Sequence, residues 1–397
     1  MNLTKDWQAA IRVIEKIEKA GYEAVIVGGA VRDYLLKKEV NDVDVATSAM
    51  PEEIKRIFTS TVDIGIAHGT VLVLDEGQPI EVTTYRTEGI YVDFRRPDQV
   101  TFVKNLDKDL QRRDFTINAM AMTKNGELID IYGGKEDLEK RLIRAVGEPN
   151  SRFREDALRM LRAIRFSAQL GFTIEKNTLE AIIKDSDLIE FIAKERIHME
   201  LSKMWTTQNV YIGVKTLVDS DLANYLKGNF KKYLTDWKYF SSTRSEVGWA
   251  YLGLLNRPFL SDIINFYKLS NKEKTFMRNV LNCYDALLNR WTELDYFQYD
   301  LITLEVAYDF AIWQQNKVPF RKEHIALVKS NLPIQSIQQL AINGNLLKEW
   351  TSRKSGPWMK VALDAALLAV LKGHVKNDEE HLKDWFFNEF NDEGYYS

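Results

Sequence analysis

The sequence predicts an α+β protein, with a mixed sheet of about five strands and flanking helices in its first part and an all-α remainder. Two observations carry the prediction. Short β-branched runs bounded by glycine, proline or polar turns recur between residues 22 and 103, as strands do. From about residue 206 onward only helical periodicities separated by short polar turns remain, and these point to helices alone. At 397 residues, 45% of them hydrophobic and 11% aromatic, the chain has core enough for two or more globular domains. The first residues lack the charged and apolar regions of a signal peptide, and no apolar run reaches the ~18 residues a membrane helix needs, so a cytoplasmic protein with no membrane partner is expected. The single cysteine, Cys283, excludes an intrachain disulfide framework and a cysteine-based zinc site. Histidines 68, 198, 324, 374 and 381 show no metal-ligand spacing. A formal charge of −3 excludes indiscriminate nucleic-acid binding while leaving local basic patches open.

In chain order, Trp7, Ala10, Ile11, Ile14 and Ile17 have the spacing of an amphipathic helix over Asp6 to Ala20. Tyr22 to Val27 then reads as a strand that ends on Gly28-Gly29, where a helix begins. Such a turn suits a phosphate: unpaired N–H groups point at the anion, glycine allows a close approach, and Arg32 adds a cationic fork. In Asn41 to Ala46 the β-branched residues imply a second strand, whose period of two puts Asp42 and Asp44 on one face and Val43 and Val45 toward the core. Two adjacent carboxylates repel unless a cation lies between them, and Mg2+ commonly takes one or two carboxylates together with substrate phosphates. Asp42 and Asp44 are therefore the candidate metal ligands.

Pro51-Glu52-Glu53 marks a helix start. Strands follow at Thr70 to Leu74, Ile80 to Tyr85 and Val100 to Val103, the first two joined as a hairpin through Glu76-Gly77-Gln78-Pro79. Glu81, flanked by Ile80 and Val82, is either a third catalytic carboxylate or a solvent-facing acid. Arg86 to Gln99 is polar and patternless and reads as a mobile loop of the kind that serves as a lid. In Arg112-Arg113-Asp114-Phe115-Thr116-Ile117-Asn118-Ala119, Arg113 can bond the sugar or phosphates of a nucleotide, or belong to a surface arginine pair.

Phe153 to Gln169 predicts one helix, with Phe153, Ala157, Leu158, Leu161, Ile164 and Ala168 inward and Asp156, Arg159, Arg162 and Arg165 along the opposite flank. Three stacked arginines call for something anionic, because Glu155 and Asp156 cannot satisfy the whole stripe together with Arg152 and Arg154. Lys194 to Leu201 reads as a helix bracing the first. Between Arg321 and Lys360 the bases outnumber the acids, and Ser355-Gly356-Pro357-Trp358 sits there as a helix start. Arg353, Lys354 and Lys360, with bare N–H groups and an exposed aromatic, suit a nucleic-acid backbone. Asp378 to Ser397 turns acidic and reads as a solvated terminus.

Gly28-Gly29-x-Val31-Arg32-Asp33, Asp42-x-Asp44, the Arg112 to Ala119 segment, Glu155-Asp156-x-x-Arg159 and Glu195-Arg196-Ile197 occur in an order and spacing that resembles the bacterial class II CCA-adding enzymes. These are tRNA nucleotidyltransferases of the polymerase-beta-like superfamily. The resemblance is specific over about residues 20 to 205 and looser beyond. It implies a seahorse-like arrangement: a catalytic head over 1–148, a nucleotide-selecting neck over 149–205, a body over 206–295 and a tRNA-binding tail over 296–397. It also implies that Gly29, Arg32, Arg113, Asp156, Arg159, Arg162 and Arg165 line the nucleotide site, and that Asp42 and Asp44 hold magnesium. The expected reaction is attack of the tRNA 3′-hydroxyl on the α-phosphate of CTP twice and ATP once. A CC-adding enzyme, a poly(A) polymerase and a non-catalytic tRNA-binding protein are the alternatives.

Overall fold

The computed structural model describes residues 4–40, 42–65, 69–89, 91–92, 96–97 and 100–389. The chain forms two compact units, one of Met1–Ser245 with Asn256–Leu269 and one of Glu246–Leu255 with Ser270–Ser397.

The first unit opens on helix α1 (Lys5–Lys19), capped by the Thr4 hydroxyl, which accepts from the Trp7 N–H. Its apolar stripe, Trp7, Ala10, Ile14 and Ile17 among it, is buried as the periodicity requires. Strand β1 (Ala24–Val27) leads into helix α2 (Gly29–Leu35), and β2 (Asp44–Thr47) into α3 (Pro51–Ile57). Strands β3 (Thr61–Gly65), β4 (Thr70–Asp75) and β5 (Gln78–Thr84) follow. The β4–β5 hairpin turns through Glu76 and Gly77, both at positive φ, with Asp75 paired to Gln78. That is the left-handed geometry two-residue hairpins favour. Asp75, buried at the hairpin end, is held by Arg12 and Lys16 of α1 at 2.7 Å each, which fixes the helix across the sheet.

The segment read as a patternless loop carries short ladders: β6 (Arg86–Glu88) pairs with β9 (Val100–Phe102), and β7 (Tyr91–Val92) with β8 (Arg96–Pro97). Arg95 and the other residues between these strands at 90, 93–95 and 98–99 lie outside the described residues, as do Asn41, His68 and 390–397 of the acidic terminus. Helix α4 (Leu106–Gln111) precedes β10 (Ala121–Met122) and β11 (Leu128–Ile129). The main sheet has seven strands, in the order β11-β10-β1-β2-β5-β4-β3, rather than the expected five. The strand expected at 100–103 belongs to the β6–β9 ladder and not to this sheet. β2 and β5 run parallel and their neighbours antiparallel, so the sheet is mixed. Val25, Val27, Ala46, Tyr85, Leu110 and Ala121 form one of its core layers.

Next come α5 (Gly134–Glu139), β12 (Leu142–Ile143), α6 (Pro149–Glu155), α7 (Leu158–Leu170), β13 (Thr173–Ile174), α8 (Lys176–Lys184) and α9 (Lys194–Trp205). The single helix expected over Phe153 to Gln169 is two, because Asp156 is extended (φ −141°, ψ 102°) and ends α6. β12 and β13 form a small parallel pair, and β13 lies in the neck, which was expected to be all-α. Beyond Ile174 no strand occurs among the described residues. Trp205 stacks on Trp237 with ring centroids 4.7 Å apart and closes the core beneath α9.

The second unit is helical throughout its described residues. Its longest helix, Asn271–Leu288, starts in a capping box between Ser270 and Glu273 and packs on Leu301–Trp313. No helix among the described residues is long and apolar enough to cross a membrane.

Candidate active site

The site is built where β1 runs into the glycine pair. Gly28 sits at φ +74°, a backbone conformation that favours glycine, and a Cβ there would press on Arg113 Nη1 at 3.0 Å. α2 starts at the next residue. The antiparallel register sets Val27 against Asp44, which brings the first residue of β2 beside this turn. The parallel register sets Val45 against Val82, so Glu81, one position back, lies abreast of Asp44. Asp42 precedes β2 rather than lying in it, yet the expected alternation holds: Val43 and Val45 are buried while Asp42, Asp44 and Glu81 reach solvent. Desolvation, then the charges of Glu81 and Asp42, push the Asp44 carboxyl above its usual range, and Arg113 works against them. This electrostatic contact ties Glu81 to the acidic pair. Oxygen donors whose mutual repulsion is only partly offset fit a divalent cation. No group of three or more His, Cys, Asp or Glu side chains gathers closely enough to hold a metal by itself among the described residues.

Across from the acids stands a cationic wall. Arg32, 4% exposed, donates to both oxygens of Asp33 and, at 2.7 Å, to Asn118 Oδ1, so its fork is fixed within the protein. Asp109, 1% exposed, accepts from Arg112 and Arg113 and from the Arg86 backbone N–H. These contacts turn the arginine pair inward, and both residues line the cleft instead of the surface. Asp114 accepts from Arg162 Nε at 2.8 Å and from Asn118.

The arginine stripe of α7 has anionic partners within the protein, two of them from distant parts of the chain. Arg159 pairs with Glu155 at 2.6 Å and donates to the Arg112 carbonyl, Arg162 pairs with Asp114, and Arg165 with the buried Glu200 of α9 at 2.6 Å. The charge excess read from the sequence is thus largely met by Asp114 and Glu200. Asp156 receives Arg196 of α9 on both oxygens, at 3.1 and 2.7 Å. The bracing role expected of the Lys194 helix is carried by these ion pairs.

Together these groups enclose a cleft of about 440 Å³ lined by Gly29, Arg32, Asp44, Arg113, Asp156, Arg159, Arg162 and Arg165 from the expected set. Asp42 and Glu81 are not part of its lining, and act on it through Asp44. Arg353, Lys354 and Lys360 belong to the second unit, where all three are exposed. There Arg353 lies over the half-buried Trp358 ring, and Trp358 donates to the Lys354 carbonyl. Of the neighbouring bases, Lys322 is paired with Asp309 and Lys329 donates to the Tyr296 and Tyr299 carbonyls. Phe166 and Gln169 line the cleft without having been expected there. The i, i+4 relation of Phe166 to Arg162 was the signal that placed it on the same flank.

One acid gives a pH test. Burial would raise the Asp114 carboxyl, but Arg162, the Asn118 hydrogen bond and Arg159 outweigh it and bring it from 3.8 down to about 2. A folded value below the unfolded one contributes stability that is present above the unfolded value and lost as pH falls through the folded one, between about pH 4 and pH 2, on the order of 2 kcal/mol. Asp114→Asn is expected to flatten the fall of the urea midpoint over that window. An unchanged slope would remove Asp114 as its source.

Comparison with known proteins gives concordant results along the chain. Residues 24–144 match the family described as the Poly A polymerase head domain, 171–234 the probable RNA and SrmB-binding site of polymerase A, and 240–386 the putative tRNA nucleotidyltransferase domain 2. The CCA-adding enzyme of Geobacillus thermodenitrificans is 40% identical over 396 residues, covering 96% of each chain. That of Lactiplantibacillus plantarum is 42% identical over 397 residues, again covering 96% of each. The crystal structure of the Bacillus stearothermophilus CCA-adding enzyme in complex with CTP superimposes with a TM-score of 0.87 at 35% identity, covering 98% of both chains.

Proposed function

Since the chain belongs to the CCA-adding enzyme family of tRNA nucleotidyltransferases, we propose that the cleft described above is where it adds C, C and A to the 3′ end of tRNA. Nucleotides come from CTP and ATP, no nucleic-acid template is used, and pyrophosphate is released. The observation that carries this reading is identity of 40% or more to such enzymes over nearly the whole chain, with the acidic and cationic walls of one cleft inside the aligned region.

In each cycle the tRNA 3′-oxygen forms a bond to the α-phosphorus, the bond to the β-phosphate oxygen breaks, and the hydroxyl proton is lost. Asp42 and Asp44 would hold a divalent cation, which we take to be magnesium, and Glu81 supports them as a third carboxylate. When bound, that ion lowers the pKa of the attacking hydroxyl and neutralises charge on the leaving group. The protein's own part is positioning and charge. Gly28 and Gly29 leave room for the phosphates, Arg32, Arg162 and Arg165 face their negative charge, and Arg113 bonds sugar or phosphate. Asp156 and Arg159 face the base. In this reading 1–148 is catalytic, 149–205 selects the nucleotide, and 206–295 and 296–397 hold tRNA in a cytoplasmic enzyme.

The test is a turnover assay with labelled CTP and ATP on tRNA truncated before CCA. Extension by three nucleotides ending in A is expected. Arrest after CC would make the chain a CC-adding enzyme, repeated A addition a poly(A) polymerase, and binding without incorporation a tRNA-binding protein.

The exposed Arg353, Lys354 and Lys360 are proposed to contact tRNA phosphates. Changing all three to alanine is expected to weaken tRNA binding and reduce its salt slope by about one per lost contact, with nucleotide dependence unchanged. An unaltered salt slope would return them to ordinary solvated surface.

A further inference from the structure

Phe166 is 5% exposed, yet its surroundings are not those of a core phenylalanine. Three guanidinium groups lie around its ring: Arg165 at 4.0 Å, Arg32 at 5.2 Å and Arg162 at 5.4 Å from the centroid. All are within the ~6 Å at which a cation is attracted by the ring quadrupole, an attraction that strengthens as the pair is desolvated. Phe115 meets the ring edge to face, with centroids 5.8 Å apart and planes at 82°, and so fixes its orientation. The three arginines come from two elements 130 or more positions apart in sequence, α2 and α7. Arg32 pairs with Asp33, Arg162 with Asp114 and, at 3.6 Å, with Glu200, and Arg165 with Glu200. Among the described residues no single acid is ion-paired with all three. The Phe166 ring lies within 5.4 Å of each, and it also lines the cleft.

We infer that Phe166 is a positioning residue for triphosphate binding: its aromatic face gathers Arg32, Arg162 and Arg165 into one cationic surface against their mutual repulsion. The inference rests on reading the cleft as the site of the nucleotide triphosphate. Phe166 sets affinity for the polyphosphate without touching the reacting atoms and without distinguishing C from A. A leucine would fill a similar volume but offer the arginines no negative face. Removing the ring's quadrupole therefore weakens binding in the ground and transition states alike, which raises KM and leaves kcat near the parent value.

The experiment replaces Phe166 in the full chain by mono-, di- and trifluorinated phenylalanine, which lowers the ring's attraction for cations stepwise at nearly constant shape. Phe166→Leu is the fourth variant. KM is measured for CTP on tRNA lacking CCA and for ATP on tRNA ending in CC, together with kcat and the inhibition constant of inorganic tripolyphosphate. The expected result is a graded rise in both KM values, reaching about tenfold at the trifluoro ring. The tripolyphosphate constant rises in parallel, kcat stays within about threefold, and Phe166→Leu loses at least as much as the trifluoro variant. A flat fluorination series, or a loss confined to kcat, overturns the inference, even if Phe166→Leu is damaged or fails to fold. A parent chain that binds neither CTP nor tripolyphosphate in this cleft instead refutes the reading of the cleft.

Discussion

Asp42→Ala and Asp44→Ala are each expected to lower CTP and ATP incorporation at least a hundredfold, a barrier increase of about 2.7 kcal/mol, while folding and tRNA binding stay close to the parent. The expectation follows from where the two acids sit. Both are exposed, so removing either leaves no cavity. The Asp44 carboxyl is raised, because desolvation and the charges of Glu81 and Asp42 disfavour its ionised form. A carboxyl raised in the folded state opposes folding above its unfolded value, and stability is recovered only when it protonates or is removed. Asp44→Ala should therefore melt no lower than the parent without metal, and this separates a functional acid from a structural one. Calorimetric titration with Mg2+ in the presence of a non-hydrolysable CTP analogue supplies the second measurement, and loss of the metal-dependent heat is expected. Retention of more than about a hundredth of parental turnover by either variant would sink the assignment.

The acids could be found from sequence because they stand on short-range order. Val43 and Val45 alternate with Asp42 and Asp44, and a period of two needs only four residues to be visible. The strands that went unseen gave a weaker signal. β10 and β11 are two residues long, too short to show a period, and β3, where Val62 and Ile64 alternate with Thr61 and Asp63, is largely solvent-exposed and buries no apolar face. The break at Asp156 was hidden for the opposite reason: apolar spacing continues from Phe153 through Leu158 and no glycine or proline interrupts it. What ends α6 is the extended backbone of Asp156, whose carboxylate is held by Arg196, 40 residues further along the chain. Two partners of the arginine stripe were equally out of reach. Asp114 is 48 residues from Arg162 and Glu200 is 35 from Arg165, and only the packing of α9 on α7 brings the latter pair together. A charge excess on one helix face says that anions are needed and not whether they are substrate or protein.

Asp156→Ala is expected to raise incorporation of UTP and GTP relative to CTP and ATP while the overall rate falls. Asp156 and Arg159 do not share a continuous helix turn, as their spacing suggested, but both line the cleft. An ionised carboxylate has about four acceptor positions. Arg196 occupies one on each oxygen and the Leu158 N–H one more, which leaves Oδ2 able to accept from a ligand. Arg159 is 7% exposed and is held by Glu155 and by the Arg112 and Arg152 carbonyls. Cytosine offers an amino donor beside the N3 acceptor and adenine an amino donor beside N1, so either edge matches an acceptor next to a donor. Uracil and guanine offer a carbonyl beside an N–H, which sets acceptor against acceptor and donor against donor. A good bidentate base contact is worth about 1 to 3 kcal/mol, or roughly five- to 150-fold in discrimination. The arrangement would thus select C and A over U and G, and a small reorientation of the two side chains would serve to change between C and A. The measurement is kcat/KM for all four triphosphates on tRNA ending before CCA and on tRNA already carrying CC. If activity falls and the ranking of the four bases does not move, Asp156 serves only to anchor Arg196 at the break between α6 and α7, and base selection resides in other residues of the cleft.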